Sequence, residues 1–242
     1  MLLELVRWVY SSRDLRQAGW VGDDQKELGL NLFCDVDYAG CTQTQRSTTG
    51  NHVAVHGPYT IFPIIGSSAS QKAVATSTPE AELSALHKGY KTCMLPALDL
   101  FDVICPNSLP PLVREDNQAA IMIVNSGRNP SMRHLKRVQR VDVAWLHERL
   151  GVHPDKDRSV IFYEDTKNMS ADIYTKPFNS APAWQHALSL INIFPDVWYG
   201  DLVNLISWHK KREELGNIVA YDDPEARAQW SKAGRSKKKK SS

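Results

Sequence analysis

Apolar positions along this chain change their period, and each change marks an element. In residues 1–17, Leu2, Leu5, Val6 and Val9 stand at helical spacing and predict an amphipathic helix. Gly19 to Gly29 is polar and turn-rich. The pattern then alternates: in "LNLFCDVDY", Leu32 and Cys34 fall on one face of a predicted strand, Phe33 and Asp35 on the other. "HVAVH" (52–56) and "YTIFPII" (59–65) predict two more strands joined at Gly57-Pro58, which together suggest an antiparallel meander.

Helical spacing returns after Thr78. That residue is placed to cap, Pro79 suits the first turn, and Glu80 and Glu82 complement the positive end of the helix dipole. Leu83, Leu86, Tyr90 and Met94 form the apolar stripe, with Pro96 expected to end it. "PPLVRE" (110–115) predicts a short buried strand and "NQAAIMIVNSG" a short helix closed by Gly127. Residues 134–150 predict one longer basic helix, "SVIFYED" (159–165) a strand, and 170–176 a short helix stopped by Pro177. Three hairpin-linked strands followed by strand–helix alternation predict an α/β fold with a mixed sheet and helices on its faces.

Composition changes this picture little, and charge changes it in one place. With 42% hydrophobic residues in 242, the chain has enough apolar side chains for a core. "MLLELVRWVY" is interrupted by Glu4 and Arg7, so it reads as neither a signal peptide nor a membrane span. Cys34, Cys41, Cys93 and Cys105 lack paired or zinc-ligand spacing, which predicts free thiols in a reducing compartment. The net charge is +2, but residues 231–242 carry six positive charges and no acid, so the remainder stands at −4. A nucleic-acid ligand would then need local basic surface and cations at any acidic site.

Four acids stand out by position. Asp35 lies near the end of the first alternating strand, with Asp37 on the same face, and Glu82 lies near the start of the long helix. Asp116 follows the strand 110–115, and Asp172 opens the short helix after 159–165. Each alone has an ordinary reading as a turn former or first-turn acid. Together, at one end of a sheet, they would repel one another and call for divalent cations.

"CDVDYAG…RSTTG", "SASQKAVATSTPEAELSAL", "REDNQAAI" and "SADIYTKPF" occur in the order found in one family. They resemble the ribonuclease H domain of copia-type LTR retrotransposon polyproteins over roughly residues 1–195. The resemblance implies a ribonuclease H-like mixed five-stranded sheet, an antiparallel meander plus parallel strands, with helices on both faces. It also implies a metal-binding catalytic tetrad on Asp35, Glu82, Asp116 and Asp172, holding two Mg²⁺ ions for which Mn²⁺ can substitute. The reaction implied is hydrolysis of the RNA strand of RNA–DNA hybrids, alongside the reverse transcriptase domain of the same polyprotein. The setting would be a cytoplasmic virus-like particle, with nuclear entry a further expectation.

Arg46, Ser47, Thr48, Asn117 and Gln118 stand where the family places substrate-facing polar groups, though turn and cap roles would suit them as well. Arg133, His134, Lys136, Arg137 and Arg140 could meet hybrid phosphates or form a solvated helix face. By these readings residues 1–29 form a connection helix and linker, 30–178 the ribonuclease H-like domain, 179–230 a helical extension, and 231–242 a disordered basic tail. Two other functions compete: a catalytically inactive nucleic-acid-binding or assembly module, and a nuclease acting on DNA. The tetrad argues against the first, and its Asp-Glu-Asp-Asp order with copia-like flanks against the second.

Overall fold

A computed structural model describes residues 2–129, 132, 134–151 and 159–195. Arg133, the chain beyond residue 195 and the basic tail lie outside the described residues.

The meander forms as β2 (Gly29–Asp37), β3 (Thr48–Gly57) and β4 (Thr60–Ser70), paired antiparallel in sequence. Both hairpin strands after β2 are longer than the apolar runs 52–56 and 59–65, because backbone pairing continues through polar ends such as Thr48–Asn51 and Ser67–Ser70. β4 is an edge strand, which lets it hold Pro63 beside an irregularity in the register. β5 (Leu109–Glu115) lies parallel to β2, and β6 (Val160–Tyr163) parallel to β5. The five-stranded order is β4-β3-β2-β5-β6, the mixed sheet of an antiparallel meander plus parallel strands expected above. Parallel β2, β5 and β6 end at the same edge, so residues closing them are neighbours despite their distance in sequence.

Helices cover both faces. Leu30, Leu32 and Cys34 of β2 join the main core with Val53, Val113 and Ile161 from the other strands. Over them pack Leu83 and Leu86 of α2 (Thr78–Gly89), Phe101 of α3 (Leu95–Ile104), Val124 of α4 (Gln118–Ser126) and Leu146 of α6 (Val143–Leu150). On the opposite face Phe33 packs with Met169 and Ala171, beside a 3₁₀ turn over Ser170–Tyr174. The alternation read from 32–35 is therefore the division between two cores. Val36 meets Ala75, Ala81 and Ala85, which ties the first turns of α2 to the end of β2.

Three boundaries differ from the sequence reading. Pro96 does not end the helical run: a π-turn over Tyr90–Met94 leads into α3, where Pro96 sits at a first-turn position that needs no N–H donor. Residues 134–150 are two helices, α5 (Leu135–Val138) and α6, because Arg140 adopts a left-handed φ of 57° and Asp142 caps the second. Residues 1–17 split into α1 (Leu2–Ser12) and β1 (Leu15–Gln17). β1 pairs antiparallel with β7 (Ile193–Pro195), which follows α7 (Ala181–Leu190), so segments flanking the sheet in sequence join each other. Leu2, Leu5, Val6 and Val9 lie on an exposed side of α1. No helix among the described residues is long and apolar enough to cross a membrane.

Candidate active site

Strand ends and the start of α2 bring three carboxylates together. Asp35 pairs opposite Gly50 in the β2–β3 ladder and is 2% exposed. Glu82 lies in the second turn of α2, one turn deeper than the sequence suggested. Asp116 directly follows β5. One ligand oxygen from each of Asp35, Glu82 and Asp116 lies within 4.8 Å of the other two.

Glu80 and Glu82 divide their work. Glu80 accepts hydrogen bonds from Thr76 N–H (3.0 Å) and Gln139 Nε2 (3.2 Å) and lies 3.3 Å from His134 Nε2. Burial works against its ionised form, but the Thr76 hydroxyl, which also donates to Glu80, and these other donors hold its pKa below the usual glutamate range. It fastens α5 and the loop before α2. Glu82 Oε2 is buried with no hydrogen-bond partner, and burial plus the charges of Glu115, Asp35 and Asp116 raise its pKa strongly.

Asp172 is close but differently held. Its Oδ1 accepts from Lys176 Nζ at 2.8 Å, and the same ammonium lies 3.1 Å from Asp35 Oδ1. Thr175 Oγ1 donates to Asp35 Oδ2, so residues 175–176 engage both Asp35 oxygens. Burial raises the Asp172 pKa to about 6 against the pull of Lys176. Burial opposes the lysine's charge, yet its bond to Asp172 and the Asp35 charge raise its pKa above the ordinary value. The three-acid group does not include Asp172.

Two contributors escaped the sequence reading. Glu115, the last residue of β5, is fully buried; its Oε1 accepts from Asn117 N–H at 3.2 Å and its Oε2 is unpartnered. Burial first, then Asp116 and Asp35, push its pKa well up. The period of two could have signalled it, since Glu115 shares a face with core Val113. Lys176 was quoted only as part of a motif, and its helical offset from Asp172 was the available signal. A further ion pair, Arg114 Nη1 to Glu164 Oε2 at 3.3 Å, is buried nearby, with Arg114 Nε donating to Asn31 Oδ1 at 3.1 Å.

The polar residues expected at the substrate are placed unevenly. Ser47 is buried, its Oγ accepting from Ala39 N–H, which is a turn role. Thr48 lies in the ladder opposite Asp37, and Arg46 is exposed beside it at the end of the sheet that carries Asp35. Asn117 caps α4 by accepting from Ala120 N–H, whereas Gln118, next to it, is exposed. Lys136 pairs with Asp142 at 2.9 Å, and Arg137 and Arg140 are exposed. The contacts from His134 and Gln139 to Glu80 set this basic segment beside the start of α2.

Hard carboxylate donors drawn within 4.8 Å, one of them with a buried unpartnered oxygen, fit an oxygen-seeking divalent cation. Cysteine offers no alternative donor set, since all four cysteines are free and none joins the group.

No family model matches this chain. The solved structure of LC11-RNase H1, isolated from compost by a metagenomic approach, aligns with 61% of this chain and 92% of its own at 15% identity and a TM-score of 0.39.

Proposed function

We propose that this chain is a metal-dependent endonuclease that hydrolyses the RNA strand of RNA–DNA hybrids. We further propose that it works in reverse transcription of a copia-type retrotransposon, beside a reverse transcriptase domain, in a cytoplasmic particle with access to the nucleus. The observation that carries the reaction class is the meeting of buried Asp35 and Glu82 with half-buried Asp116, from three separate elements, in one cluster. Buried like charges destabilise a fold unless a cation or protons compensate them, and this arrangement has the ligands for a cation.

Asp35, Glu82 and Asp116 would hold Mg²⁺, with Mn²⁺ as substitute. Bound there, such an ion supplies Lewis-acid polarisation of a phosphodiester and a lowered pKa for water. The chain's own groups set the geometry. Thr175 Oγ1 orients Asp35, and Thr166 Oγ1 donates to Asp116 Oδ2 at 2.8 Å. Val36 and its alanine neighbours fix the α2 turn that presents Glu82. Gln118, exposed two residues after Asp116, would read a 2′-hydroxyl in the shallow minor groove, whereas Asn117 is committed to its cap. Arg46, Arg137 and Arg140 offer exposed cations for backbone phosphates.

The test is cleavage of a labelled hybrid by the purified chain with Mg²⁺, with EDTA, and after Asp116→Asn. Cleavage of the RNA strand alone, abolished by EDTA and reduced by orders of magnitude in the variant, is expected. Equal cutting of DNA duplex would move the substrate to DNA, and hybrid binding without any cleavage would favour the inactive module.

A further inference from the structure

Lys176 lies between the carboxylates of Asp35 and Asp172. Its Nζ lies 2.8 Å from Asp172 Oδ1 and 3.1 Å from Asp35 Oδ1, with the side chain 34% exposed. Its position is built in rather than incidental. The Lys176 N–H donates to Asp172 O at 2.9 Å, the Thr175 N–H donates to the same carbonyl at 3.1 Å, and Thr175 Oγ1 grips Asp35. Gly50 lets this turn lie directly on β3: a Cβ there would meet Thr175 Cγ2 at 2.6 Å and Ala171 O at 2.8 Å.

We propose that Lys176 is a resident monovalent cation of the centre, and that the protein therefore binds one divalent ion, on Asp35, Glu82 and Asp116, instead of two. This rests on the metal-dependent reading above and deepens it. An ammonium and a divalent ion cannot share the gap between the same two carboxylates. Mg²⁺ needs oxygens at about 2.0–2.1 Å, closer than any ammonium contact, and the two cations repel each other. With the ammonium hydrogen-bonded to Asp172 and ion-paired with Asp35, Asp172 is neutralised locally and loses its pull on a second ion. The group drawn within 4.8 Å accordingly has three acids, and Asp172 stands outside it.

Mn²⁺ binding by calorimetry, with electron paramagnetic resonance counting bound ions, tests this on the full chain. Wild type should bind one ion. Lys176→Met, which keeps the length and removes the charge, should bind two, and Lys176→Met/Asp172→Asn should return to one. Asp172→Asn alone should leave the count at one, and it keeps the inference testable if the lysine variant fails to fold, because loss of the wild-type ion there would make Asp172 a ligand and overturn the proposal. Two ions in wild type, or one ion in a folded Lys176→Met, would also overturn it while leaving metal binding intact. No Mn²⁺ bound by wild type would overturn both the proposal and the metal reading. One ion with the expected variant pattern but no hybrid cleavage would remove only the nuclease reading.

Discussion

Glu82 and Glu115 make the metal-free protein less stable as pH rises, a sign opposite to that of an ordinary salt-bridged carboxylate. Both have folded-state pKa values raised by burial and by mutual and neighbouring charge. A carboxyl whose folded pKa exceeds its unfolded value of about 4.3 binds more protons folded than unfolded, so stability falls above that unfolded value. If the folded pair keeps one proton between pH 5.5 and 7.5, the slope is about 1.36 kcal/mol per pH unit, or about 2.7 kcal/mol across the window. For a domain of this size, that corresponds to a drop of about 5–11 °C in melting temperature.

Other groups titrate in the same window. Asp172, raised to about 6, adds loss below that pH. His87, lowered by burial and then by Lys91, acts in reverse and gains stability as pH rises towards its unfolded value of about 6.5. The comparison is therefore with Glu82→Gln/Glu115→Gln, which keeps both shapes and leaves those other groups in place. Thermal melts of both proteins in EDTA from pH 5.5 to 7.5 should diverge by about 2.7 kcal/mol, the variant gaining relative to wild type. Curves that stay parallel would show that neither glutamate holds a proton in the folded protein, and the clustering argument would fail.

Two further outcomes follow from the same region. Arg114→Ala removes the ion-pair partner of buried Glu164 and the donor to Asn31, and should lower stability by about 3–5 kcal/mol in urea unfolding; a change under about 1 kcal/mol would mean the pair is replaceable. Gly50→Ala forces the Ala171–Thr175 turn off β3 and should cost about 1–3 kcal/mol, while hybrid cleavage falls further than stability accounts for, because Asp172 and Lys176 move with that turn. Unchanged cleavage in the folded variant would show that the turn's position does not matter to the reaction.

Local pattern carried much of this protein. The alternation at 32–35 reads directly as two cores because successive side chains in a strand must face opposite ways. Asn117 and Gly127 bound their helix through a side-chain cap and a left-handed φ of 66°, both set by chemistry within a few residues. Asp35, Glu82 and Asp116 were legible as candidates because each lies at or within one turn of an element end that the sequence marks. Where local signals and packing disagreed, packing prevailed. Pro96 looked like a stop but became a start, since the wide turn over 90–94 let Ala97 and Phe101 continue into the same core. The 134–150 segment broke at Arg140, where no glycine marks the left-handed residue.

The tertiary structure alone decided which acids meet. Glu115 reads as the last residue of a strand until parallel pairing of β2 with β5 sets it, buried, near Glu82 and Asp35. Lys176 reads as a surface lysine before a proline until the 170–175 turn lies on Gly50 and lays the ammonium between Asp35 and Asp172. Sequence determines side-chain direction and element ends, because these depend on near neighbours. The charge balance of the site depends on distances between residues 35, 82, 116, 172 and 176, and only the folded sheet sets those.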